Sequence, residues 1–543
     1  MAAALRRAPR TPTWPTLGQL WGFLGVFLPA LAALLVPMPA VDLAYQLRAG
    51  AEILGGNGIP DHDTWTFTVA GTPWLDQQWA AQVLLAAVFQ VLGWTGLAVL
   101  RAALVGLAFW LLLGAIRSAW SIASVRAGGS AIASSARTAT LVTIAFFVVA
   151  TPAFALRPQL LAIVLFAATV RILVERSSHP RRLWLIPFMA IAWANLHGSF
   201  PLIVVLVALA WLDEVALLRV PPPPGHPRPA LRRRLLGSTG LAIIAAISAL
   251  ATLINPFGLD VWGYIANLAR DPQITTEVSE WQPPSPLDPA GFLFYVSLVV
   301  VLGVVAFRFR TDQGRMPARF FGPLVSVGLF ALLGIVTGRG LAWWAIAAPV
   351  AMVQLQPGLK LADVRFRGLP TLRARTAREA SASEARRSPL NMLVMGVLVV
   401  FAVALLPFWR PTGAAGVPIL ALSDAPQGIA AKLHKLGNVR VWAPQTWGSF
   451  LEWAAPKIRV ALDSRIELFP PPVLADADEV AGAATGWLST LAVRKVDVLV
   501  VRAGQTSAAQ LRDLKAAGSW VQAYEDDDGS IWVPSGSSLV AGG

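Results

Sequence analysis

Long apolar runs recur along most of this 543-residue chain, each bounded by short polar segments. A transmembrane helix needs about 20 predominantly apolar residues. The runs have this length from the amino-terminal end to about residue 408, so the pattern predicts a polytopic α-helical membrane protein with about eleven transmembrane helices. We expect the spans near residues 17–40, 97–116, 138–154, 157–174, 183–198, 200–218, 238–255, 290–307, 320–337, 341–357 and 389–408.

One further apolar stretch, QQWAAQVLLAAVFQVLG (77–93), is left out of this count. Treating it as a span would move the basic loop 117–137 to the other side of the membrane. We therefore predict an amphipathic helix that lies on the outer membrane interface and ends at Gly93.

The pattern changes after Pro411, where apolar runs become short and strand-like segments alternate with helix-like ones. VRVWAP, IRVALDSR and VDVLVVRAG have strand character, and WVQAYEDDDGSIWVP predicts a hairpin that turns at Asp528-Gly529. Alternation of strands and helices is typical of an α/β domain. We thus divide the chain into a membrane domain (1–410), with its first external loop at 41–96, and a C-terminal α/β domain (411–543).

The composition supports this division: 56% of the residues are hydrophobic, and the net charge is +14. Residues 411–543 hold 11 Lys or Arg and 13 Asp or Glu, so an excess of +16 remains for the membrane domain, concentrated in five loops. Basic loops are typically cytoplasmic. We expect a multi-pass plasma-membrane protein with a cytoplasmic amino terminus and an extracytoplasmic C-terminal domain. Few aromatic side chains interleave with the basic ones, which argues against nucleic-acid binding.

The chain has no cysteine, so disulfides and cysteine metal sites are excluded. Carboxylates, although scarce overall, are frequent just after the first predicted span. Asp42 begins a short predicted helix there, where its carboxylate could either cap the helix or do chemistry.

Asp61, His62 and Asp63 follow some twenty residues later in the same loop. In an extended segment, the two carboxylates lie on one face, where they could hold a divalent cation or a hydroxyl-rich ligand. A solvated turn after Pro60 is the simpler alternative. A divalent cation is therefore a candidate ligand, and the residues indicate no other cofactor.

The predicted topology brings further polar residues to the external helix ends. Ionisable groups near membrane depth are costly and are functional candidates, although arginine can also extend harmlessly to the interface. For the histidine in this group, a structural hydrogen bond is as good an explanation as a ligand role. The residues are Arg157, Asn195, His197, Glu280 with its neighbour Trp281, and Arg339.

These motifs, in this order, resemble the C-type superfamily of integral-membrane glycosyltransferases, which includes protein O-mannosyltransferases and lipid A aminoarabinose transferases, and in particular a poorly characterised bacterial branch. The resemblance covers nearly the whole chain, and Arg101 opens the second span as in that superfamily. The matching phrases are DLAYQLRAG, IPDHDTWTFT, GTPW, DQQW, RPQL, NLHG, NPFG, SEWQPP, WGSFLEW and VALDSR.

The resemblance implies an enzyme that moves a sugar from a polyprenyl-phosphate donor to an extracytoplasmic glycan, lipid or protein acceptor, with inversion. It implies a catalytic base just after the first span, which is Asp42 here. Two acidic residues usually crowd that spot, whereas Pro39, Ala40 and Val41 precede Asp42, so Asp63 remains a second candidate. Arg157 and Arg339 would then bind the donor phosphate.

In the same scheme, His197 and Asn195 would donate further hydrogen bonds to the phosphate, and Asp61, His62, Glu280 and Trp281 would contact the acceptor or shape the loop. Two other functions are compatible with the sequence: a transporter for a small solute or ion, and a non-catalytic scaffold for cell-envelope glycan assembly. We find neither an internal repeat nor paired broken spans of the kind typical of transporters.

Overall fold

The computed structural model describes residues 14–126, 135–218, 229–311, 320–355, 382–504 and 507–538. Parts of the predicted cytoplasmic loops (117–137, 219–234, 308–319 and 360–387) lie outside these residues. Within them, five helices are long and apolar enough to cross a membrane, and five shorter apolar helices accompany them. The protein is thus a mostly helical, multi-pass membrane protein.

A helix forms in each of the eleven ranges that the apolar pattern selects. Two further short helices, α9 and α10, lie between helices α8 and α11. The helices up to residue 404 are α1 (Leu17–Leu35), α2 (Ala40–Leu54), α3 (Trp79–Arg126), α4 (Ala136–Ala150), α5 (Pro158–Val174), α6 (Leu185–Leu196), α7 (Pro201–Leu218), α8 (Pro229–Ala251), α9 (Asp260–Leu268), α10 (Pro272–Glu277), α11 (Pro289–Thr311), α12 (Phe321–Val336), α13 (Gly340–Leu355) and α14 (Pro389–Ala404).

Helix α3 joins the stretch predicted at the interface to the second predicted span. It is interrupted at Gly93, whose backbone has φ 58° and ψ −152°. Only glycine adopts such a conformation readily. The kink therefore lies at the residue where the sequence pattern ends the interfacial helix.

Helices α5 and α13 form the centre of the bundle, since nearly all of their residues are buried. Phe166 of α5 packs against Trp343 of α13, with ring centroids 5.1 Å apart. The aromatic contact fixes one helix beside the other. The starts of these two helices, Arg157-Pro158 and Arg339-Gly340, consequently become important for the site described below.

The residues after 411 form strands and helices in alternation. The helices are α15 (Gln427–Leu433), α16 (Gln445–Ala454), α17 (Pro471–Gly482), α18 (Trp487–Val493) and α19 (Ala508–Ala517), and the strands are β2 (Leu422–Ser423), β3 (Arg440–Trp442), β4 (Arg459–Val460), β5 (Val498–Arg502), β6 (Trp520–Glu525) and β7 (Gly529–Pro534). Five of the strands form a mixed sheet in the order β4-β3-β5-β7-β6. The hairpin turn lies at 526–528 rather than at Asp528-Gly529, because the Asp526 carboxylate accepts from the backbone amides of residues 528 and 529.

The first loop and the C-terminal residues share backbone hydrogen bonding. Strand β1 (Met38–Pro39) pairs in parallel with β2, and Thr66 bridges Val460 of β4. Helix α2 itself packs closely on α3: a Cβ added to Gly50 would lie 2.1 Å from the carbonyl oxygen of Gln82. These contacts fix the helix that carries Asp42 on two sides.

Candidate active site at three helix N-termini

Asp42 lies in the first turn of α2, but it does not cap the helix. The N-cap is Pro39, and no side chain caps this end, so the capping interpretation of Asp42 is wrong. The carboxylate points instead to the start of α5, where its Oδ2 accepts a hydrogen bond from Nη1 of Arg157 at 2.8 Å. Asp42 is thus free of a local backbone role and paired across the bundle.

Arg157 occupies the N-cap position of α5, and Pro158 sets the first helical residue. Its guanidinium bridges two carboxylates that are far apart in sequence, Asp42 and Glu280; Nη1 lies 3.1 Å from Oε2 of Glu280, and Nη2 also contacts Glu280. Among the described residues, the Nε of Arg157 is buried and has no hydrogen-bond partner. A buried donor of this kind is costly unless something binds it.

Glu280 connects the two predicted phosphate-binding arginines. It lies in a 3₁₀ turn (Ser279–Trp281), and its Oε2 also accepts from Nε of Arg339 at 3.2 Å. The Arg339 guanidinium lies 4.9 Å from the ring centroid of Trp281. Burial alone would raise the pKa of Glu280, but Arg157 and Arg339 outweigh it and hold that pKa below the usual range. Glu280 is therefore ionised at neutral pH.

The N-termini of three helices meet this cluster. Asp42 lies in the first turn of α2, Arg157 caps α5, and Arg339 directly precedes α13. Each N-terminus carries a partial positive charge from the aligned peptide dipoles and has amides without helical partners. Two guanidiniums and three positive helix ends together favour an anion at this place.

His197 lies beside the cluster, whereas Asn195 does not contribute to it. The imidazole of His197 interacts electrostatically with Arg339 and Arg157, and its Nδ1 lies 2.8 Å from the Ser199 hydroxyl. Asn195 donates to the carbonyl oxygens of Ile191 and Ile254 and accepts from the indole of Trp79. Because its amide hydrogens are already used to join helices, we remove Asn195 from the candidate phosphate ligands.

The structure separates Asp61 from Asp63, so the prediction of a shared carboxylate face is wrong. The side chain of Asp61 is 86% exposed and contacts His62, whereas that of Asp63 is fully buried. The cause is a reversal of the loop, in which Asp63 and Thr72 form a backbone hydrogen bond. Among the described residues, no group of three or more His, Asp or Glu side chains could hold a metal ion.

Asp63 belongs to a buried ion-pair cluster with the C-terminal residues. Its Oδ1 is 2.5 Å from Nη2 of Arg465, which also contacts Asp463, and its Oδ2 accepts from the Thr66 hydroxyl. The Arg465 guanidinium lies 4.3 Å from the ring centroid of Trp65 and 4.6 Å from that of Trp74, and the two indoles contact each other edge to face. Sequence reasoning missed Arg465 as a partner of Asp63, although the VALDSR phrase contains it.

Arg101, noted in the sequence only as a point of resemblance, is a second connector. It is buried and donates to the carbonyl oxygens of Phe154 and Val36, at 2.6 and 2.7 Å. Carbonyls at helix C-termini favour a cation. Arg101 therefore ties the end of α1 to the segment before α5, and so supports Asp42 and Arg157 together.

Four more ionisable groups are linked to Asp42 by electrostatic interactions. Tyr45 and Glu467 both interact with Asp42, and Asp76 and Tyr264 interact with Glu467. Burial raises the pKa of the Asp76 carboxyl to about 7. Asp42 thus begins a polar group of phenol and carboxyl side chains.

No family model and no curated protein matches the sequence, but several solved structures have a similar fold. The oligosaccharyltransferase of Archaeoglobus fulgidus, in its apo form, has 11% identity and a TM-score of 0.51, over 96% of this chain and 74% of that one. The archaeal oligosaccharyltransferase AglB from the same organism, in complex with an inhibitory peptide and a dolichol-phosphate, has 11% identity and a TM-score of 0.50, over 90% and 68% of the two chains. ArnT from Cupriavidus metallidurans, in the apo state, has 14% identity and a TM-score of 0.45, over 95% and 97%. The chain therefore shares the fold of the archaeal oligosaccharyltransferases, in agreement with the resemblance of its sequence motifs to the C-type integral-membrane glycosyltransferases.

Proposed function

We propose that the protein is a membrane glycosyltransferase that moves a sugar, with inversion, from a polyprenyl-phosphate donor to an acceptor on the extracytoplasmic side. The observation that carries this proposal is the row Asp42–Arg157–Glu280–Arg339, which four separate segments bring to one place. It combines a carboxylate that can take a proton with cations that can hold a phosphate. The fold, shared with an oligosaccharyltransferase solved with a dolichol-phosphate, supports the same reading.

Asp42 is the base in this mechanism. An acceptor hydroxyl attacks the anomeric carbon of the donor sugar, and a new bond forms between that carbon and the acceptor oxygen. The bond from the anomeric carbon to the phosphate oxygen breaks, and the lipid phosphate leaves with the electron pair. Asp42 receives the proton of the hydroxyl, which balances the reaction. Asp63 is unsuited to this role because Arg465 and Thr66 already occupy its oxygens.

The leaving phosphate gains negative charge as the bond breaks, and this charge develops beside Arg157 and Arg339. Cations and dipoles that are already oriented stabilise such charge without reorganisation. The unpaired Nε of Arg157 supplies a donor that the resting structure leaves unused. His197 interacts electrostatically with both arginines, and Glu280 keeps both guanidiniums in place.

The acceptor binds beside Asp42, at the polar group formed by Tyr45, Asp76, Tyr264 and Glu467. These phenol and carboxyl groups can exchange hydrogen bonds with hydroxyl groups, so a hydroxyl-bearing acceptor suits them. We further propose the eleven spans given above for residues 1–410, and a C-terminal extracytoplasmic α/β domain for residues 411–543. No divalent cation enters this mechanism.

The sidedness of the membrane is testable because the protein contains no cysteine. We expect a cysteine at exposed Ser519 to react with a membrane-impermeant maleimide in intact cells. A cysteine at exposed Ala385 should react only after the cells are permeabilised. The reverse labelling pattern would place the candidate site on the cytoplasmic side, where the proposed acceptor is absent.

Donor recognition is tested by the binding of decaprenyl phosphate, the leaving group, to protein in nanodiscs. Arg339→Lys keeps the charge but removes the planar fork that bonds to Glu280 and lies over Trp281. We expect at least about tenfold weaker binding, the size typical of one lost charge-assisted hydrogen bond.

The matched control for this measurement is Arg494→Lys, in the partly exposed Arg494–Asp476 pair. Its affinity for decaprenyl phosphate should stay that of the wild type. If the wild type, Arg339→Lys and Arg494→Lys bind decaprenyl phosphate equally well, Arg339 is not part of the phosphate site. Solute flux into proteoliposomes without any sugar transfer would instead identify a transporter.

A further inference from the structure

The segment Asp463–Arg465 of the C-terminal residues contacts the helix that carries Asp42. The Ser464 hydroxyl donates to the backbone carbonyl oxygen of Val41 at 3.1 Å, one residue before Asp42. The same hydroxyl lies 2.9 Å from that of Ser449 on α16. The start of α2 is thus hydrogen-bonded to a segment more than 400 residues away in sequence.

The middle of α2 is held by the same region. Arg48 donates from Nη1 to the backbone carbonyl oxygen of Glu452 at 2.9 Å, and its guanidinium lies 4.8 Å from the ring centroid of Trp65. The Arg465 guanidinium also contacts the rings of Trp65 and Trp74. Two cations and two indoles thereby form one cation–π cluster between α2 and the 463–465 segment, and such contacts are strongest where water is excluded.

The 463–465 segment is itself rigidly supported. A Cβ added to Gly448 of α16 would lie 1.9 Å from the carbonyl oxygen of Leu462, so α16 packs directly on the backbone before Asp463. The Asp463 carboxylate accepts from the backbone amide and from Nε of Arg465. Buried ion pairs contribute little net stability, but they can select one conformation over its alternatives.

From these contacts we infer that Ser464 and Arg465 are positioning residues, which hold helix α2 so that Asp42 faces Arg157. The inference rests on the proposed function of Asp42, but it adds a role for the C-terminal residues that the mechanism does not contain. Asp63, a sequence-based candidate for the base, then serves as the anchor of Arg465 in the first loop. Misplacement of a reacting group by about 1 Å can lower a rate about a hundredfold.

The test uses the full-length protein in nanodiscs and two variants. Arg465→Lys keeps the charge but loses the fork and the stacking, and Ser464→Ala removes one hydrogen bond to α2 with little effect on packing. We expect kcat to fall about 10- to 100-fold in Arg465→Lys and several-fold in Ser464→Ala. Decaprenyl phosphate affinity should stay within about twofold, because the arginines that bind phosphate are untouched. Arg494→Lys is the control.

A structural measurement runs beside the kinetics. Spin labels on the cysteines of Ala51→Cys, in α2, and Ser178→Cys, after α5, report the position of α2 by electron–electron distance; both native residues are exposed. We expect a narrow distance distribution in the otherwise unchanged chain and a broader one in Arg465→Lys and Ser464→Ala.

An unchanged distribution in both variants would overturn the inference, as would parallel losses of kcat and of phosphate affinity. Should Arg465→Lys fail to fold, Ser464→Ala decides. If neither the wild type nor any variant transfers sugar, the proposed function fails. The distance measurement still shows in that case whether the C-terminal segment fixes α2.

Discussion

Replacing Asp42 by asparagine is expected to abolish detectable sugar transfer and to leave the protein folded. Asparagine has nearly the same shape and can still accept the hydrogen bond from Arg157, but it cannot take a proton. General-base catalysis typically contributes about a hundredfold to ten-thousandfold. The measurement is release of decaprenyl phosphate from a panel of synthetic decaprenyl-phosphate sugars, with isolated membrane glycans and lipids as acceptors.

The control for this variant is Asp61→Asn in the same loop, where the carboxylate is exposed and contacts only its neighbour His62 among the described residues. It should transfer sugar at the wild-type rate. Decaprenyl phosphate binding should be retained in both proteins, which separates loss of chemistry from loss of the donor. Persistent turnover in Asp42→Asn would exclude this carboxylate as the base. Asp76 and Glu467 would then be the next candidates.

Replacing Arg157 by alanine is expected to lower the rate of sugar transfer about as strongly as Asp42→Asn does, but for a different reason. Arg157 pairs with Asp42 and Glu280, so its removal leaves two carboxylates without their shared cation and removes positive charge from the leaving group. Deleting one preorganised charge-stabilising group typically lowers kcat about 10²- to 10³-fold. We also expect weaker binding of decaprenyl phosphate, since like charges would then face the phosphate.

Arg157→Lys should recover part of the rate but not all of it, because an ammonium cannot bridge two carboxylates as the planar fork does. Arg182→Ala is a suitable comparison: its side chain is 47% exposed and pairs with Glu175 at the other end of α5. A wild-type rate in Arg157→Ala would contradict a role in stabilising the leaving group.

Much of the candidate site could be predicted from the sequence because its residues stand at helix ends. An arginine just before Pro158 or Gly340 must lie at the start of a helix, and the alternation of basic loops assigns both starts to one side of the membrane. The same reasoning predicts that Glu280 lies on this side of the membrane. Whether such a residue is free to bind a ligand depends on its neighbours in the fold. The sequence does not reveal these neighbours for Asn195, whose amide bonds to Trp79 and to Ile254, both distant in sequence.

Asp63 illustrates the other limit. Its spacing from Asp61 predicts a shared face only if the segment is extended, and the loop reverses instead. Its true partner, Arg465, is 402 residues away, and no local pattern connects the two. Long-range ion pairs of this kind depend on tertiary packing, so periodicity and turn signals cannot reveal them. The same holds for Asp42, for which the sequence leaves capping and chemistry as alternatives. Helix α2 has its N-cap at Pro39, so Asp42 lies in the first turn and does not cap the helix.

The separation between Asp63 and Arg465 also orders events during biosynthesis. Helix α2 leaves the ribosome early, but Glu452 and Ser464, which bond to it, are made more than 400 positions later. At about 5–20 residues per second, this interval lasts on the order of 20–80 s. During that time the nascent chain has its first helices in the membrane and lacks the contacts that orient Asp42. On the proposed function, activity begins only once the last part of the chain has been synthesised and has folded against the first loop, so we expect a truncated product to carry Asp42 without using it.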